Sequence, residues 1–192
     1  MERNNLGFSL GSLSLASASA STTLTVLAFA GSSSSITGKS VGIISSLDLT
    51  SSTSSAPGLS AEVGGSDLSA VALAGSFASV NVAPTLRSAV GDGAEIQTTG
   101  SLVISTVATG LGWAITTASS GAVLSGTAGF SQGTLGGYAD LQIGNNARLI
   151  ARDAMLSVYA SHGVRADASS WSGSIASLGL LKTDVTSSLS TG

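Results

Sequence analysis

The chain has 192 residues, no cysteine, and a formal charge of −3 from ten acids and seven bases. A disulfide framework and a thiolate metal site are therefore excluded. The bases (Arg3, Lys39, Arg87, Arg148, Arg152, Arg165, Lys182) are too scattered for the basic patch that nucleic acid requires.

A positive mean hydropathy with only 9% charged residues also excludes a solvated linker, because apolar side chains at that density must be covered. The length allows one or two domains. Yet the apolar content is mostly Ala, Val, Leu and Ile, the polar content mostly Ser, Thr and Gly, and only 4% is aromatic. Side chains this small suit a thin core between closely stacked strands.

Taken in chain order, the start Met1-Glu2-Arg3-Asn4-Asn5 does not make an export signal. The apolar run Leu24-Thr25-Val26-Leu27-Ala28-Phe29-Ala30 is seven residues long, against the about 20 that cross a bilayer, so no membrane span is expected in this segment. The expectation is a fragment of a longer protein whose export signal and anchor, if any, lie elsewhere. Leu13-Ser14-Leu15-Ala16-Ser17-Ala18 alternates with period two, as do Leu47-Asp48-Leu49 and Ala78-Ser79-Val80-Asn81-Val82, and this marks strands.

Gly91-Asp92-Gly93 then supplies residues that tolerate positive φ, which predicts a tight corner. Beyond Ile96 a second corner is expected at Thr99-Gly100, followed by a strand with Leu102, Ile104 and Thr106 on one face and Val103 and Ser105 on the other. The later stretch repeats the order. Gly144-Asn145-Asn146 matches the first corner, Leu149 matches Ile96 (149 − 96 = 53), and Leu156, Val158 and Ala160 alternate with Ser157 and Tyr159. Aligning Leu156 with Leu102 makes this copy one residue longer, an insertion at Arg152-Asp153-Ala154, where added length does not turn a strand over. A fainter copy, Val41-Gly42-Ile43-Ile44-Ser45-Ser46-Leu47-Asp48-Leu49, starts 96 − 41 = 55 positions before Ile96. No window sustains a helical period.

These spacings predict an all-β chain, a parallel β-solenoid (β-helix) built from repeats of about 50 residues, with antiparallel hairpins as the competing geometry. One elongated repeat domain over 1–192 is expected, with repeats at roughly 10–55, 56–108 and 109–162 and a partial one at 163–192, each long enough for two or three rungs. The predicted core columns are Val41/Ile96/Leu149 and Leu47/Leu102/Leu156. The principal partners are then neighbouring repeats of the same chain, and open strand edges at the ends would favour self-association.

No catalytic, cofactor-binding or metal site is expected. The single histidine, His162, sits in Ser161-His162-Gly163 and reads as a solvated corner, with no Gly-x-Ser-x-Gly nucleophile elbow to serve. The acids Glu2, Asp48, Glu62, Asp67, Asp92, Glu95, Asp140, Asp153, Asp167 and Asp184 do not stack into a carboxylate pair, since Asp92 and Glu95 align with Asn145 and Arg148. Gly64-Gly65-Ser66-Asp67 and Gly91-Asp92-Gly93 offer calcium one carboxylate each, and both read as turns. Trp113 and Trp171, 171 − 113 = 58 apart, read as packing at corners. Thr22-Thr23, Thr98-Thr99 and Thr116-Thr117 do not form the regular ladder of an ice-binding face.

Ala78-Ser79-Val80-Asn81-Val82, Arg87-Ser88-Ala89-Val90-Gly91-Asp92-Gly93-Ala94-Glu95-Ile96 and Gly100-Ser101-Leu102-Val103-Ile104-Ser105 together resemble the repeat of the large filamentous haemagglutinin-like and leukotoxin-like surface adhesins of Gram-negative bacteria. The resemblance is closest over 70–106 and weaker over 139–160 and 10–50. It implies a secreted β-solenoid stalk, extracellular on the bacterial outer surface and concerned with attachment through the parent protein to a host or cell-surface glycan or protein. The expected function is thus a non-catalytic stalk segment. The alternatives are a glycan- or protein-binding module on the solenoid face and, third, a solenoid carbohydrate-active enzyme.

Overall fold

The computed structural model describes residues 8–49 and 59–191, and among them there are ten strands and no helix. The strands are β1 (Phe8–Thr22), β2 (Thr25–Ala30), β3 (Ser35–Gly38), β4 (Val41–Leu49), β5 (Leu59–Val82), β6 (Thr85–Val90), β7 (Glu95–Thr98), β8 (Ser101–Ile143), β9 (Arg148–Ile150) and β10 (Asp153–Thr191). Glu2 and Arg3 lie outside the described residues. Seven strands join one large sheet, and β3, β7 and β9 form a second, three-stranded one. The pairings are parallel throughout both sheets. Hairpins are thereby ruled out as the pairing mode, and the arrangement is compatible with a β-helix.

The register carries the organisation. Leu13 pairs with Leu73, Leu73 with Gly126 and Gly126 with Leu178, which are steps of 73 − 13 = 60, 126 − 73 = 53 and 178 − 126 = 52 residues. Partners on adjacent strands of this path thus lie 52 to 60 residues apart. The strands are long enough to use up that length.

Alternation decides which side chains go inside. Leu102, Ile104 and Thr106 are fully buried, as are Ala78, Val80 and Val82 on β5. Inward residues are even-numbered along β8 as far as Ser120 and odd-numbered from Ser125 to Leu135, so the phase switches where the strand folds back on itself. Contacts across the interior confirm that the two stretches face each other. The Oγ1 of Thr106 donates to the Asp140 carbonyl at 2.8 Å, and the hydroxyls of Thr116 and Ser131 lie 3.1 Å apart. At the other end β6 faces β8, with Ser88 Oγ donating to the Ser105 carbonyl at 2.7 Å. Side chains this short can bridge the interior only because it is thin.

Two apolar clusters fill it. Beside the three-stranded sheet, Ile96, Leu102, Ile104, Val90 and Ala94 pack together, with Ile36 and Leu149 against them. Further along, Val80 and Val82 pack with Ala114 and Leu135. Gly112 lies opposite, where a Cβ would come within 2.9 Å of a Val82 methyl. The core column through Ile96 is Ile36/Ile96/Leu149. Val41 instead stacks on Leu102 and Ala154, and Leu47 on Ala108 and Ala160, so both predicted columns are corrected. The pairing of Ile96 with Leu149 stands.

The miss has a local cause. The corners Gly31–Ser34, Gly91–Ala94 and Gly144–Ala147 are the same turn three times, each closed by an N–H to carbonyl bond from its fourth residue to its first. The third residue of each has positive φ, at Ser33 (55°), Gly93 (64°) and Asn146 (58°), as a type II turn requires. Serine is not a residue that announces this conformation, so the first corner was invisible and the upstream copy slid by several positions.

The second corner also differs from expectation. Ile36 to Val41 and Leu149 to Ala154 are five residues apart, whereas Ile96 to Leu102 are six. The extra residue belongs to the middle copy, near Gly100, and the later copy has no insertion. Gly100 is pinned there: a Cβ would lie 2.6 Å from the Lys39 carbonyl oxygen, and its own carbonyl accepts the N–H groups of Arg152 and Asp153.

Candidate interaction surface

The outward face of the stretches 8–22, 68–82, 121–135 and 173–187 reverses the usual assignment of residue types. Inside lie Ala72, Ala74, Ser76 and Ala78, whereas Leu13, Leu15, Leu73, Leu178 and Leu180 point out. Leu13 is 67% exposed and Leu178 78%. Between Ala72 and Ala78 the inward positions hold only small side chains, and the leucines of these columns stand on the outer side.

Those leucines are organised by register. One column across the sheet reads Leu13, Leu73, Gly126, Leu178, and the next reads Leu15, Gly75, Ala128, Leu180. The glycines are sites of close approach. A Cβ on Gly75 would meet the Leu15 Cδ2 at 2.7 Å, and one on Gly126 would meet the Leu73 Cδ2 at 2.6 Å. Each leucine thus lies over the backbone of the next strand, a use of strand glycine that needs no unusual φ. Between the two columns is a shallow apolar notch of about 300 Å³, floored by Gly75, Gly126 and Ala128. No charged residue occurs in 8–22, 68–82 or 121–139. The nearest ionic group on this face is the Lys182–Asp184 pair on β10, at 3.2 Å.

Towards the first corner the same face turns polar. Leu27, Arg87 and Asp140 are aligned on three successive strands, beside Phe29, Ala89 and Gln142. The Arg87 Nε lies 3.1 Å from the Asp140 Oδ2, with the Asp140 side chain almost fully buried and the guanidinium partly open. A desolvated carboxylate of this kind is held by its partner charge, and removing the arginine would leave it uncompensated. The recess here, about 330 Å³, combines exposed Phe29 with Arg87 and Gln142.

The sequence-predicted residues do not gather. His162 lies within β10, opposite Gly110, and so is in a strand rather than at a corner; its side chain is outside the described residues. Trp113 is half-buried within β8 with the Arg165 guanidinium 5.3 Å from its ring centroid, and Trp171 is exposed within β10. Neither is at a corner, and the segments that bear them are strands, not loops. Gly64-Gly65-Ser66-Asp67 is likewise strand, the last part of β5 before it folds back. Asp67 is buried there without a hydrogen-bond partner. Asp92 sits in the corner and Glu95 opens β7 directly after it, and each engages the aligned residue of the next copy, Asn145 through its N–H at 2.6 Å and Arg148 at 3.4 Å.

Sequence reasoning missed the apolar outer face. Its signal was present, because Leu13 and Leu15 alternate with Ser14 and Ala16, but alternation alone does not say which of the two faces is covered. Among the described residues no helix is long and apolar enough to cross a membrane. No protein-family model matches the chain, nor does any curated protein or solved structure.

Proposed function

We propose that the chain is a non-catalytic structural segment of a secreted, cell-surface fibre of the filamentous-adhesin type, a parallel β-solenoid in which each turn is one repeat. The observation that carries this reading is the stacked register, in which equivalent residues recur at 60, 53 and 52 positions along four strands. A stack of this kind accepts further rungs at either end without changing its cross-section. The repeated corner supports it, since three copies of one turn hold successive rungs in line. The work of the segment is mechanical, holding other parts of the parent protein away from the cell.

Small-angle scattering on this chain and on two copies joined in register tests the reading. The expected result is an unchanged cross-section and a longer particle. Growth in every dimension would overturn it. Antibody labelling of intact cells that make the parent protein tests the location, and labelling only after lysis would refute a surface fibre.

One observation favours a second reading. The recess bearing Phe29, Arg87 and Gln142 offers an aromatic wall beside hydrogen-bonding groups, the combination a glycan- or protein-binding face uses. Saturable glycan binding lost in Phe29→Ala would promote this reading above the first.

A further inference from the structure

The outward leucine columns form a continuous apolar patch, ended on β10 by the Lys182–Asp184 ion pair, and the geometry points to a second copy of this chain as its occupant, packed face to face. This inference rests on the outer surface alone and is independent of the fibre reading. Leu13, Leu15, Leu73, Phe77, Leu178 and Leu180 are each 42–78% exposed, together an apolar area of several hundred Å², the order of the roughly 800 Å² that each partner contributes to a standard interface. Patches of this size on soluble proteins mark interaction sites rather than scatter.

Three features select the occupant. The patch lies on one broad sheet face, and two such faces pack at about 10 Å through interdigitating side chains. Its relief is self-complementary: ridges at Leu13, Leu73 and Leu178 stand beside hollows at Gly75, Gly126 and Ala128. The partner must also bring little charge, because any carboxylate or ammonium set on this surface would be desolvated without a counter-ion. The same patch on another copy satisfies all three. A lipid surface fits less well, since no basic cluster is present to meet headgroups and no Trp or Tyr lies among the leucines.

The test uses the full chain, whose lack of cysteine permits clean single-site labelling. Nitroxides are placed by Gln132→Cys, on the outward side of the second stretch of β8, and by Thr117→Cys, on the outward side of the first. Sedimentation equilibrium should give a dimer. Spin–spin broadening should appear at position 132 and not at 117. Replacing Leu13, Leu15 and Leu73 by Ser should raise the dimer dissociation constant at least about 100-fold with an unchanged far-UV spectrum. The labelled chains keep every leucine of the patch, so they decide the matter even if the triple variant folds poorly. A strict monomer, or broadening at 117 alone, would overturn the inference. So would open-ended polymers without broadening at 132, which would indicate edge-to-edge pairing. A monomer that floats with phosphatidylcholine vesicles through Leu73 would assign the patch to lipid and overturn it equally.

Discussion

Asn145 donates its backbone N–H to the Asp92 carboxylate at 2.6 Å, so the side chain of one corner holds the backbone of the next, 53 positions later. The main chain of Asp92 reaches the other way, its carbonyl accepting the Ser33 N–H at 2.8 Å. One residue thereby ties three successive corners together. A carboxylate accepting from a backbone amide is a charge-assisted bond, stronger than a neutral one. Asp92→Ala should therefore lower stability by about 1 kcal/mol, and Asp92→Asn, which keeps an acceptor at that place, should recover most of the loss. Urea denaturation of the two variants compares them directly, and equal stability of both with the parent would deny the tie any weight.

The glycines that open the three corners are stacked but not equivalent. A Cβ on Gly91 would lie 2.6 Å from the Ser32 nitrogen, and one on Gly144 would lie 2.5 Å from that of Asp92, whereas Gly31 has nothing within 4 Å. Backbone cannot move aside as a side chain can. Gly91→Ala and Gly144→Ala should each cost about 2 kcal/mol or more, while Gly31→Ala should be neutral or slightly stabilising through the unfolded chain. A thermal melt series over the three single variants would separate these outcomes.

Positive φ at the third corner position makes the opposite prediction for its occupants. Ser33 and Asn146 adopt there the conformation that Gly93 adopts. Ser33→Gly should stabilise by up to about 1 kcal/mol, since the left-handed region costs an L-residue about that much, and Asn146→Gly should gain less because Asn tolerates it. Gly93→Ala should lose a similar amount. Chemical denaturation midpoints give the signs.

Ile96 is fully buried between Ile36 and Leu149. Ile96→Ala should cost about 2–5 kcal/mol by leaving a cavity shared by three rungs. Leu47, which the sequence nominated for a core column, stacks on alanines instead, and Leu47→Ala should cost less than half as much. Comparable losses at both positions would argue against the register described above.

Asp67 presents a buried carboxylate with neither oxygen hydrogen-bonded. Its removal should help. Asp67→Ala is expected to raise stability by about 1–3 kcal/mol, read as a higher melting temperature. A lower one would show that the carboxylate contributes favourably where it lies.

Much of this fold was legible in the residues and some of it was not, for physical reasons. Strands, the two corners of the middle copy and the 53-residue pairing of Ile96 with Leu149 follow from period-two alternation and Gly/Asn/Asp turn chemistry. Period two, however, fixes only which face a residue takes. It does not fix which of many even shifts a strand adopts, so Val41 was stacked on the wrong neighbour. Leu156 was likewise matched to Leu102 because like residues align, while the ladder sets Ala154 there. The outer face was hidden because alternation does not say which of a strand's two faces is covered. Along Leu73–Phe77 leucine and phenylalanine stand outside alanine and serine, whereas Ile96, Leu102 and Ile104 are inside.

That wide rung has a mechanical corollary. Leu73 and Gly126 are adjacent in space, one strand spacing of about 4.8 Å apart, yet 53 residues separate them along the chain. In the fibre proposed above, growth by such rungs would advance roughly 0.1 Å per residue, against about 3.3 Å for an extended strand. Reach is therefore gained very slowly. Breadth is gained instead, and the resistance of a solid rod to bending climbs steeply with its breadth. A fibre of the proposed kind would give up length to become hard to bend.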